Sequence, residues 1–124
     1  MRLLLDTNAF LWWRDGSSRL PARVRHEISD EANDIVVSIA SLWEISIKRG
    51  LGKLRFAEDF EEVIADEEFE LLSVTYAHLR ALDGLPRHHG DPFDRLLIAQ
   101  SIAENVPVVT SDKAFARYQA KTLW

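Results

Sequence analysis

The sequence contains no cysteine. Disulfide staples and thiolate metal sites are therefore excluded, and a reducing cytosol is a compatible setting. It also lacks a run long and apolar enough to span a bilayer. The longest largely apolar stretch, IVVSIASLWEISI (35–47), has only 13 residues and carries Glu44. The segment MRLLLD reaches an acid at position 6, too soon for a signal-peptide core, so a cytoplasmic protein is expected. There is no internal repeat, no linker and no low-complexity segment.

Positive charge is in deficit, with a formal net charge of −5. That sum argues against a nucleic-acid binder, but the distribution argues otherwise. Residues 58–70, EDFEEVIADEEFE, hold 8 of the 20 acids and no base. The rest of the chain is mildly basic. The acidic block reads as one water-facing helix, or as a flank that repels RNA toward the other side.

What is present is a core. Hydrophobic residues make up 47% of 124 positions, enough for one folded domain, residues 1–124, burying roughly two thirds of its unfolded surface. RLLL (2–5), IVV (35–37), ELLSV (70–74) and VPVVT (106–110) read as buried strands, with a fifth around 122–124. Helices are predicted over 7–13, 21–32, 38–50, 58–68, 75–82 and 92–105, with a last one starting at SDKAFARY. Apolar strands alternating with helices predict an α/β fold, a parallel sheet covered on both faces. In such sheets ligands sit beyond the carboxyl ends of the strands.

Four carboxylates fall near that edge. Asp6 follows the first strand and Asp112 the fourth. Each is also a good helix N-cap. Glu44 is the only charge in IASLWEISI (39–47), which is apolar on nearly every side and so predicted buried. A buried carboxylate needs a partner, and Lys48 at i+4 is the structural candidate. In GDPFDRLLIAQ (90–100), Asp91 with Pro92 makes a helix start, and Asp94 lies at N3, where the helix dipole favours an acid. Capping explains each acid singly but not their convergence from four segments. Clustered carboxylates repel unless a cation neutralises them. With oxygen donors and no thiol the cation expected is Mg²⁺ or Mn²⁺, which can polarise a phosphodiester and activate water.

LLLDTN (3–8), SIASLWEISIKRGLGKL (38–54), LPRHHGDPFDRLLIAQ (85–100) and VPVVTSD (106–112) resemble the successive motifs of PIN-domain ribonucleases. The likeness is greatest to VapC-type toxins of bacterial toxin–antitoxin pairs. It implies a three-layer α/β/α fold with a mostly parallel four- to five-stranded sheet. It makes Asp6, Glu44, Asp94 and Asp112 an acidic quartet for Mg²⁺ or Mn²⁺, with Asp6 and Asp94 the most direct ligands. It further implies RNA endonuclease activity, a homodimer and an antitoxin that occludes the site. Asn8 stands where close relatives often have His; it and Asp91 are expected behind the ligands. Lys48, Arg49, Lys53, Arg55 and Arg95 are candidate contacts to the RNA backbone.

The other residues read more plainly. His88 and His89 are adjacent loop histidines, expected to be solvated, and His26 and His78 carry no signal. Trp12, Trp13 and Trp43 are expected in the core or an interface. The outer side of the first helix is a candidate surface for a second copy or an antitoxin segment. Two other functions remain. One is a phosphatase with an Asp nucleophile, which needs a second Asp where Asn8 stands. The other is a non-catalytic binding module of the same fold.

Overall fold

A computed structural model describes residues 1–124. Five strands form one parallel sheet in the order β3-β2-β1-β4-β5: β1 (Arg2–Leu5), β2 (Asp34–Ser38), β3 (Glu70–Leu72), β4 (Val108–Val109) and β5 (Thr122–Leu123). Six helices accompany them: α1 (Thr7–Asp15), α2 (Ala22–Ser29), α3 (Ile39–Gly50), α4 (Phe60–Glu67), α5 (Tyr76–Asp83) and α6 (Pro92–Glu104). The final helical segment is a short 3₁₀ stretch, Lys113–Arg117, rather than an α-helix.

The strands bury both faces, which is why no polar alternation marks them. Leu3, Leu5, Ile35, Val37 and Val109 pack with Phe10, Val24, Ile28, Ile45 and Val63 from α1 to α4. Leu4, Val36 and Val108 pack on the opposite side with Leu97 and Ile98 of α6, Phe115 and Tyr118. The result is helix, sheet, helix.

Element starts follow capping chemistry. Asp6, Ser38, Asp59, Thr75, Asp91 and Asp112 each accept a backbone N–H at the head of a helix. α1 stops at Gly16, whose φ of 64° is open to glycine at little cost. Two helices are shorter than their patterns predict. α2 ends at Ser29 because Asp30 turns the chain, its carboxylate accepting the Ala32 N–H. α4 begins at Phe60 because Asp59 caps it, and Glu58 instead pairs with Arg14 of α1 at 2.6 Å.

That pairing also revises the reading of the acidic block. Arg14 reaches Asp66 as well, at 2.7 Å, and Trp13 Nε1 donates to Glu67 at 2.5 Å. α4 is therefore tied to α1 rather than simply solvated. The outer side of α1 is not the open apolar surface expected: Phe10 and Leu11 are in the core, and Trp12 meets Trp124 edge-on. α3 instead carries exposed apolar side chains, at Ile39, Trp43 and Ile47.

Chain order places the site. From β1 the chain moves outward through β2 and β3, then returns to lay β4 on the other flank of β1. The carboxyl ends of β1 and β4 therefore flank the point where the winding reverses, the usual ligand position in open α/β sheets. The Asp6 N–H bonds to the Val109 carbonyl at 3.1 Å, which locks the end of one strand to the other.

Candidate metal centre

Asp6 follows β1 and is only 7% exposed. Its Oδ1 accepts the Ala9 N–H at 2.7 Å. Burial lifts its pKa from 3.8 to about 6; the Thr110 hydroxyl and the Ala9 N–H oppose the rise, and Asp112 and Glu44 add to it. Asp112 caps the 3₁₀ segment through Oδ1, which accepts the Ala114 N–H at 2.9 Å. Asp91 caps α6, its Oδ1 accepting the N–H groups of Phe93 and Asp94.

Asp94 caps nothing. It sits in the first turn of α6, half-buried, and burial raises its pKa from 3.8 to about 7. Asp91, Asp112, Glu44 and Asp6 all push in the same direction. The dipole of α6 would favour the ionised form, yet desolvation and four like charges outweigh it. Glu44 is buried in α3 and both its oxygens are held. Thr7 Oγ1 donates to Oε1 and Lys48 Nζ donates to Oε2, each at 2.7 Å. The expected i+4 partner is thus present. The Lys48 ammonium is itself stabilised, first by that hydrogen bond and also by Asp91 and Asp94.

Asp6, Glu44, Asp94 and Asp112 therefore lie within electrostatic reach of one another at one sheet edge. Three of the four begin or enter a helix directly after a strand or loop, and the fourth is brought in by the apolar packing of α3.

The chain matches the PIN domain over residues 3–121. It belongs to the PIN domain family. Members of this family are typically nucleases and generally bind Mg²⁺ or Mn²⁺. Among solved structures, this PIN domain is similar to VapBC2 from Rickettsia felis bound to a DNA fragment from its promoter. That match has 18% identity, covers 100% of this chain and 99% of the other, and has a TM-score of 0.69. It is similar to DNA-bound VapBC from Salmonella typhimurium, at 16% identity, 99% and 97% coverage and a TM-score of 0.63. It is also similar to FitAcB from Neisseria gonorrhoeae, at 17% identity, 98% and 96% coverage and a TM-score of 0.71. At such identities the likeness is one of fold. No curated protein matches.

The donor set of this PIN domain suits a hard divalent ion. Its donors are carboxylate oxygens, and ionised they outnumber the Lys48 ammonium beside them. No three of its Asp, Glu and His side chains converge closely enough to cage an ion unaided. An ion such as Mg²⁺, which keeps several of its own waters, needs no such cage.

The remaining predicted residues sit as follows. Asn8 is exposed on the first turn of α1. Lys53 and Arg55 are exposed in the loop after α3. Arg49 donates to the Phe56 carbonyl at 3.2 Å and lies over the Phe60 ring. Arg95 is turned inward: it is buried, with Nη1 donating to the Pro86 carbonyl and the Tyr118 hydroxyl. Sequence reasoning passed over Thr7 and Thr110, which hold Glu44 and Asp6; both stand immediately beside strand ends, a position that could have flagged them. His89, expected to be solvated, is instead half-buried against Tyr118.

Proposed function

We propose that residues 1–124 act as one PIN-like domain that hydrolyses RNA internally with Mg²⁺ or Mn²⁺, as the toxin of a type II toxin–antitoxin pair. The observation that carries this reading is the gathering of Asp6, Glu44, Asp94 and Asp112 at the reversal point of the sheet, with Asp6 and Asp94 held far above ordinary carboxylate pKa values. Strongly perturbed carboxyls in such a place mark a working site more often than a scaffold.

Asp6 and Asp94 would hold the ion directly; Glu44 and Asp112 would act through water or complete a second position. When bound, the ion supplies Lewis-acid polarisation of the phosphodiester and acidifies water nearby. Water oxygen adds to phosphorus, one P–O ester bond breaks, and the leaving oxygen takes a proton from solvent water. Asp6 and Asp94, uncharged more often than ordinary carboxyls without the ion, give up their protons when it is held. Glu44, fixed by Thr7 and Lys48, is oriented to receive a proton from the attacking water or to align it. Lys48, Arg49, Lys53 and Arg55 would track the RNA backbone beside the site, with Arg95 bracing the loop at Pro86. Asn8 and Asp91 would stand behind the ligands.

The same reading includes a homodimer and an antitoxin that occludes the site. A cleft of about 530 Å³ lined by Ile39, Leu42, Trp43, Phe60, Ile64 and Leu71 has the apolar character to take a segment of such a partner. VapBC2 and VapBC, the similar structures, were each solved with DNA, and a DNA-bound complex with the antitoxin is the corresponding expectation here. No helix of the chain is long and apolar enough to cross a membrane.

The test is cleavage of a mixed RNA pool by pure protein with Mg²⁺, with Mn²⁺ and with excess chelator, beside Asp6→Asn and Asp94→Asn. Cutting that needs metal and disappears in both variants supports the proposal. Protein that neither cuts RNA nor binds metal refutes it and leaves a binding module whose aspartates are helix caps.

A further inference from the structure

The fold engages several of its own cations. Arg2 and Arg14 are ion-paired, Lys48 is held by Glu44, and Arg49 and Arg95 donate to backbone carbonyls. Arg80 and Arg117 are left over. Both are exposed, and no carboxylate lies within 4.0 Å of either.

These two share a cavity of about 420 Å³, walled also by Leu85, Pro86, His88 and Ile102. Ligand pockets commonly measure about 300–1,000 Å³. No carboxylate lines it, although the chain as a whole carries a net charge of −5. Each arginine has a local reason for its place. Arg80 stands in the last turn of α5 and Arg117 in that of the 3₁₀ segment, where the helix dipole favours a cation. The dipoles do not explain why the segments before and after α6 bring both to one cavity. Two like charges there repel, and an anion between them relieves the repulsion.

The cavity adjoins the metal centre. The buried Tyr118 ring meets His88, which lines the cavity, with centroids 4.9 Å apart. It meets His89 at 5.5 Å, and His89 in turn lies 3.7 Å from Asp94. At its far end the cavity reaches Ile102, two turns of α6 beyond Asp94, or about 12 Å along the helix.

We propose that this cavity binds one nucleotide of the RNA strand to the side of the bond that is cut. Arg80 and Arg117 hold its phosphate, and its base rests on Leu85, Pro86 and Ile102. The inference rests on the RNA-cutting reading above and gives the strand a direction, from Asp94 past His88 along α6. Guanidinium forks match phosphate oxygens in shape as well as charge. The apolar wall suits the face of a base, and only an unpaired base can turn that face to a protein.

The experiment measures binding of a short fluorescein-labelled, mixed-sequence single-stranded RNA, with Ca²⁺ in place of Mg²⁺ so that binding is read without cleavage. Arg80→Gln with Arg117→Gln is expected to weaken binding about tenfold or more, the usual loss for hydrogen bonds to a charged group. The salt slope should fall by roughly 0.7 to 0.9, the share of one phosphate. The paired lysine substitutions at the same positions keep the slope but recover only part of the affinity, because an ammonium lacks the fork. Arg19→Gln with Arg23→Gln removes equal charge from exposed positions at α2 and should leave most of the affinity. The Ile102 methyl resonances shift on adding RNA, whereas those of Ile64 on the acidic α4 do not.

Equal RNA binding by the native protein and the Arg80/Arg117 double variant overturns the proposal and leaves the nuclease reading intact. An equal loss in the Arg19/Arg23 variant also overturns it, since bulk charge would then be the cause. Ile102 resonances that move with a poly-glutamate peptide and not with RNA overturn it in favour of an acidic protein segment. Native protein that neither binds nor cuts RNA sinks both readings.

Discussion

Replacing Asp6 by Asn separates the charge of the site from the helix cap that shares its atoms. Asparagine caps helices as well as aspartate does, and its amide oxygen can take over the Ala9 N–H that Oδ1 accepts at 2.7 Å. What disappears is a buried carboxyl whose pKa stands at about 6 instead of 3.8. A rise of that size corresponds to about 3 kcal/mol. Its sign follows from proton counting. Between the two values the unfolded chain holds fewer protons at Asp6 than the folded one, so metal-free stability falls as pH climbs through this window. The stabilisation is complete below the unfolded value and gone above the folded one. At about pH 8, in chelator, Asp6→Asn should therefore exceed the native protein by up to about 3 kcal/mol, or roughly 10 °C in Tm for a chain of this size. Near pH 4 the two should nearly coincide. Asp94, raised to about 7, keeps part of the slope in both proteins. Adding Mg²⁺ should reverse the order, because an ion that binds only the folded native site stabilises it by mass action. Urea melts across this pH range, with chelator and with Mg²⁺, read all of this. A metal-free variant that is folded yet less stable than the native protein at about pH 8 would refute the reasoning.

Two further outcomes follow from other parts of the molecule. Lys53→Gln with Arg55→Gln, both exposed, should weaken RNA binding and lower its salt slope by up to about 2, since each phosphate contact contributes nearly one; an unchanged slope would remove this loop from the interface. Gln100→Leu should cost about 1–3 kcal/mol in urea unfolding, because Ser38 Oγ, fully buried, loses the acceptor it holds at 2.5 Å; a neutral result would mean that the hydroxyl finds another partner.

Much of the scaffold is legible in the sequence because it rests on local chemistry. Asp91 followed by Pro92 announces α6, Ser38 and Thr75 announce α3 and α5, and LLL and IVV announce the two central strands. The convergence of the acids is legible only through topology: Asp6 and Asp112 follow strand ends, Glu44 lies in the helix after β2, Asp94 enters α6 from the loop after α5, and parallel strands share one carboxyl edge. What escapes is set by contacts distant in sequence. Nothing near Arg14 reveals that Glu58 and Asp66 will claim it. His78 gives no sign of its role, yet it is fully buried: it accepts the Thr75 N–H on Nδ1 and faces Glu104 through Nε2. Arg95 reads as a free cation beside Asp94, but Tyr118, 23 residues on, draws it inward. The same tyrosine orders His89. The length of β4 also escapes, since VPVVT is uniformly apolar while only Val108–Val109 pairs.

The place of β1 in the sheet has a consequence for synthesis. β2 can pair with this strand early, but Leu5 meets its other neighbour, Val109, only after more than a hundred further residues. At ribosomal speeds of about 5–20 residues per second, that is an interval of roughly 5–20 s. Through it, one flank of the central strand stays bare, and the carboxylate at position 112 does not yet exist. In a nascent chain the cluster of Asp6, Glu44, Asp94 and Asp112 thus stays incomplete until β4 docks. The acidic site is thus completed in a single late step, and whatever grips the growing chain before β4 docks can hold it short of that step.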